Sequence, residues 1–153
     1  MKRVQINEIE VRGHFRLQVP IAWKLDRTAD HVLCRLVNAD STSSGIFVEA
    51  AKVQWSEPDR TTSLMEATER FLNSSMLSIE PSAVLDMTTH TAVGGENDVA
   101  KTVVTMCDQT AWLITMVYSA SKGILYCVYC NSPIDEVREL EPYFDLFQVE
   151  EGE

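Results

Sequence analysis

At 153 residues and 17.2 kDa, with 45% apolar and 24% charged side chains, the chain is long enough to bury a core as one globular domain. Its net charge of −10 and pI near 4.7 leave no surplus of Lys and Arg to neutralise phosphates, which argues against nucleic acid and anionic membranes as partners. No apolar run approaches the roughly 18 residues of a membrane span, and Asn7, Glu8 and Glu10 interrupt what a secretion signal would keep apolar. Four cysteines fit reduced thiols, so the expectation is a cytoplasmic protein.

The charge is uneven along the chain. Met1–Arg35 holds seven of the 13 basic residues against four acids, whereas Asp135–Glu153 holds eight acids and Arg138. That pattern predicts a single domain, 1–153, whose last residues (148–153) form an acidic tail.

Taken in order, Val4–Val11 and Phe15–Val19 alternate apolar and polar residues and read as strands. Pro20 ends the second, and Ile21-Ala22-Trp23 follows as a buried corner. Leu25–His31 reads as polar and turn-like, His31–Asn38 as a strand, Asn38–Gly45 as a loop and Ile46–Trp55 as a strand. Ser63 and Glu66 have capping-box spacing, opening a helix over Ser63–Ser75 with Leu64, Thr68, Phe71 and Leu72 on one face. Ala83–Thr91 is another strand-like run, and Gly94-Gly95-Glu96-Asn97-Asp98 reads as a turn in preference to a cation loop.

Val99–Met106, Ala111–Ser119 and Gly123–Asn131 then form an antiparallel meander. Its pleat sets Trp112, Ile114, Met116 and Tyr118 on one face and Leu113, Thr115 and Val117 on the other. Both faces are apolar, so both need cover. Ser132 as cap and Pro133 at the first helical position open a last helix reaching Phe147, which Pro142 should kink or restart because it removes a donor in mid-course. Strand runs with segregated helices place the chain in the α+β class, an antiparallel sheet of about six to seven strands layered with helices.

The run Phe15-Arg-Leu-Gln-Val-Pro20-Ile-Ala-Trp23 is similar to the F-x-x-x-x-P-x-x-W opening of the PsbP-like and DcrB-like families. The mid-chain helix, the Gly-rich turn, the hairpins and the Glu141-Pro142-Tyr143-Phe144 helix follow the same order. The resemblance implies an α/β/α sandwich, shared with the small Ran-binding protein of nuclear import. It also implies a non-enzymatic accessory role. Some cytoplasmic bacterial relatives are chaperones that hold apolar segments of type VI secretion effectors. No site residue is carried over from these families.

Cys127-x-x-Cys130 on a strand points its thiols to opposite faces, so core thiols are expected and neither a disulfide nor a metal. His14, His31 and His90 are scattered without ligand spacing, and G-x-S-x-G, G-x-G-x-x-G and the Walker loop do not occur. No catalytic residue, metal ligand or cofactor is therefore predicted. Two helices seldom cover a broad sheet on both sides, which singles out Trp112, Met116, Tyr118, Tyr126 and Tyr129 as the partner-binding candidates. The expected function is a non-catalytic protein-binding or chaperone-like accessory module. A homodimer burying part of the Ala111–Asn131 hairpin is the accompanying expectation. The alternative is a small-ligand protein or enzyme with a pocket between sheet and helix.

Overall fold

The computed structural model describes residues 5–11, 13–27, 33–43, 45–53, 66–68, 70–71, 84–91, 99–107, 110–119 and 122–150. Among the described residues, ten strands fall into two antiparallel sheets. The smaller has the order β1 (Ile6–Val11), β2 (Phe15–Pro20), β10 (Gln148–Val149). The larger contains β3 (Lys24–Arg27), β4 (Cys34–Val37), β5 (Ile46–Lys52), β6 (Val84–Thr91), β7 (Val99–Cys107), β8 (Thr110–Ser119) and β9 (Ile124–Pro133). Its order is β3-β4-β5-β9-β8-β7-β6, so the predicted meander supplies its middle and β9 joins the two halves of the chain.

The two sheets differ in patterning for a physical reason. In β2, Phe15, Leu17 and Val19 are buried and Arg16 and Gln18 exposed, as befits a sheet with one wet face. In β8, Ala111, Leu113, Thr115 and Val117 are fully buried, while Trp112, Ile114 and Met116 on the other face are half-buried. The inner faces of both sheets meet. Phe15, Leu17 and Val19 pack with Leu36, Ile46, Val48, Leu113, Tyr126 and Val128 in one core. The C-terminal helix, Ile134–Asp145, closes the same layer with Val137, Leu140 and Phe144. Phe15 stacks on Phe147 at 5.1 Å, and Trp23 is 2% exposed at the corner between β2 and β3. Its amide donates to the Pro20 carbonyl, and its own carbonyl accepts from Asn7 Nδ2 at 2.8 Å.

Helical backbone at 66–68 and 70–71 lies on the opposite face of the large sheet, with Thr68 buried, Phe71 against Tyr118 (5.0 Å), and Glu66 and Arg70 exposed. The large sheet is thus layered between helices. Gly45 permits a close approach within it. Its φ is +133°, and a Cβ there would lie 2.8 Å from the Leu36 carbonyl oxygen.

Four sequence readings change. Leu25–Arg27, the start of the stretch read as turn-like, belongs to β3, an edge strand whose Leu25 is 54% exposed. Gln148 and Val149, assigned to an acidic tail, pair with Arg16 and Phe15, and Val149 is buried. The helix starts at Ile134. Ser132 belongs to β9, and its buried hydroxyl caps nothing. Pro142 lies inside one continuous helix. The capping serine Ser63 and the Gly94–Asp98 turn lie outside the described residues.

Candidate functional site

The outer face of the large sheet carries a ladder of cross-strand pairs. Arg35 pairs with Phe47, Phe47 with Tyr129, Tyr129 with Ile114, and Ile114 with Val103, so all share one face. The Arg35 guanidinium carbon sits 5.7 Å from the Phe47 ring centre, while its Nη1 donates to Asp26 Oδ2 at 3.2 Å. Phe47 stacks on Tyr129 at 5.4 Å with the rings 19° apart, and Trp112 tilts against Tyr129 at 6.2 Å. Arg35, Phe47, Tyr129, Ile114 and Trp112 are all half-buried.

The next rung runs Glu49, Cys127, Met116, Lys101. Burial, a hydrogen bond to Glu49 and the Glu49 charge push the Tyr129 phenol up to about 12. Burial, seconded by Glu49, pushes the Cys127 thiol up to about 12 as well. Both groups are therefore neutral near pH 7, and neither is a ready nucleophile. The third rung, Ala51, Leu125, Tyr118 and Val99, is where Phe71 packs, and there Tyr118 is 3% and Val99 2% exposed.

Trp112, Met116 and Tyr129 thus come together on this half-covered face. Tyr118 shares the face but is covered by Phe71. Tyr126 does not belong there: it is fully buried on the inner face, 6.0 Å from Phe147, with its hydroxyl 3.2 Å from His14 Nδ1. The pleat of β9 already separates it from Tyr129 by an odd number of residues. Phe47 and Arg35 were missed because their place depends on β5 lying beside β9, a pairing between distant segments.

Cys127 and Cys130 lie on opposite faces as the pleat requires, Cys130 being fully buried with its thiol also pushed up to about 12 by burial. Among the described residues no group of three or more His, Cys, Asp or Glu side chains is placed to hold a metal ion. No described helix is long and apolar enough to cross a membrane. A cleft of about 390 Å³ lies on the outer side of the small sheet, lined by Glu8, Arg16, Gln18, Leu146 and Gln148. It is not the pocket between sheet and helix that the alternative reading requires.

This layering is the PsbP-like/Mog1 fold, an α/β/α sandwich. The solution structure of cyanobacterial PsbP (CyanoP) from Synechocystis sp. PCC 6803 matches with TM-score 0.57 at 12% identity, covering 97% of this chain and 95% of that one. The crystal structure of the Saccharomyces cerevisiae Ran-binding protein Mog1p matches with TM-score 0.51 at 13% identity, covering 97% of each chain. No protein-family model and no curated protein sequence matches the chain.

Proposed function

We propose that this chain is a non-catalytic binding module that offers the strip Phe47, Trp112, Ile114 and Tyr129 to a partner protein. The half-buried aromatic ladder is the observation that carries the reading. Half-buried Trp and Tyr in ring contact with their neighbours are the residue types that anchor protein interfaces. Arg35 and Glu49 supply a polar rim beside them. The thiol and phenol on the strip are held in neutral forms, which suits contact better than catalysis. The likeness to a Ran-binding protein supports a binding role on this fold. In this reading the partner is an apolar segment of a cytoplasmic client, held as a chaperone holds it.

The test places a photo-crosslinking amino acid at Ile114, with Gln18 on the small sheet as control, in the cells that make the protein. A client crosslinked from Ile114 and not from Gln18, and lost on Trp112→Ala with Tyr129→Ala, is the expected result. Crosslinking to a second copy, with a dimer mass by light scattering, would reassign the strip to a homodimer. Equal crosslinking from both positions would overturn the proposal.

A further inference from the structure

A second surface, on the small sheet, has its own logic. Strand β1 is an edge of that sheet. The Ile21 amide donates to the Gln5 carbonyl, so the odd-numbered residues of β1 turn their peptide groups toward β2. Ile6, Glu8 and Glu10 consequently turn theirs outward. Their side chains all lie on the exposed face, whereas Ile9 is buried and Val11 half-buried on the inner face.

Proteins blunt such edges with proline, bulges or shortness. β1 shows none of these: its register with β2 is unbroken over six pairs, and it contains no proline. The other edges differ, since β10 has two residues and β3 and β6 each carry a break in register. What guards β1 is charge alone. The antiparallel registers in which two copies of β1 overlap most set Glu8 against Glu8 or Glu10 of the other copy, and like charges directly opposite are destabilising. The same two carboxylates favour a cation opposite them. Glu10 lies 3.6 Å from Arg16, and Glu8 makes no ion pair with any described residue.

We propose that β1 is the docking edge for an extended basic segment of a partner protein, which adds to the small sheet as a fourth strand. Main-chain hydrogen bonds to Ile6, Glu8 and Glu10 would hold it. Its Lys or Arg residues fall opposite Glu8 and Glu10 on the wet face. Its alternate, apolar residues extend the layer begun by Ile9 and Val11.

The probe is a short fluorescent peptide alternating lysine and valine, titrated against the full-length protein by anisotropy. Hydrogen exchange across residues 5–11 is followed in parallel. Binding should slow exchange at the Ile6, Glu8 and Glu10 amides, and a peptide N-methylated along its bonding edge should not bind. A glutamate–valine peptide should bind more weakly, and Glu8→Lys with Glu10→Lys should weaken the lysine peptide about fivefold or more. Glu8→Gln alone, which leaves the Glu10–Arg16 contact intact, should weaken it in the same direction. Absence of binding, indifference to N-methylation, or protection at Phe47 and Tyr129 in place of β1 would overturn the proposal. The last outcome would still leave the aromatic strip as a docking surface, so the two readings fail separately.

Discussion

Arg16 and Glu150 join the second strand of the chain to the residue just past the last one. Arg16 Nε donates to Glu150 Oε1 at 2.6 Å, and Glu150 Oε2 accepts from the Gly13 amide at 3.3 Å. The Glu150 amide in turn donates to the His14 carbonyl. The hydrogen bond from Arg16 is the main reason that Glu150 is held below the usual carboxylate range. Arg16 is itself raised above its ordinary value, and so stays charged throughout.

A depressed acid stabilises the folded form above its unfolded pKa, and that contribution is lost as pH falls through the folded value. Protection of the Glu150 amide from exchange should therefore hold at neutral pH and fall once the pH drops below the ordinary glutamate range. Glu150→Gln should abolish that acid-dependent step. An amide whose protection follows the same pH curve in both proteins would contradict the assignment.

Thr102 on β7 bridges the core to the C-terminal helix. Its Oγ1 lies 3.0 Å from Thr115 Oγ1 and donates to Asp145 Oδ1 at 2.8 Å, and both threonines are buried. Thr102→Val keeps the shape but removes a donor from the carboxylate and a partner from Thr115. The expected cost is about 1–3 kcal/mol in denaturant unfolding. A neutral result would mean that water or another group satisfies Asp145 equally well.

Among the described glycines, Gly45 is the position where an added methyl group should be tolerated least. Gly45→Ala meets both the unfavourable φ and the Leu36 carbonyl oxygen, whereas Gly13 and Gly123 have no atom within 4 Å of a built Cβ. Thermal melting should place Gly45→Ala lowest of the three alanine variants, by about 1–3 kcal/mol relative to the native chain.

The thiols give a chemical check on burial. Cys34, Cys127 and Cys130 are each pushed up to about 12, burial being the chief cause in every case. Alkylation at pH 8, followed site by site by mass spectrometry, should leave these three unmodified until denaturant is added. Rapid labelling of Cys127 in the native protein would show the outer face to be open beside Glu49.

Much of the architecture was legible where pattern is local. The apolar–apolar faces of β7 to β9 announced a sheet covered on both sides, and the clean alternation of Phe15, Leu17 and Val19 announced one wet face. That contrast separates the two sheets, although the pattern alone does not say that they are two. β3 escaped because Lys24, Leu25 and Asp26 are all exposed and leave no buried face to alternate, and β10 because two residues make no period. The aromatic strip was half legible: Trp112 and Tyr129 lie in one hairpin, but Phe47 joins them across a pairing that no local rule predicts.

The central place of β9 also sets an order of events. Residues 46–52 pair with β4 on one side but find their second neighbour only in residues 124–133, and β2 waits for residues 148 and 149. On a ribosome, the first five strands would emerge with no way to complete either sheet, holding their apolar sides open while most of the chain is made. Contacts of such long sequence separation make folding slow, and transiently open strand edges invite aggregation. Synthesis of the β8–β9 hairpin is then the event that commits the molecule, and a chain stalled before residue 124 is left as a substrate for the cell's own chaperones.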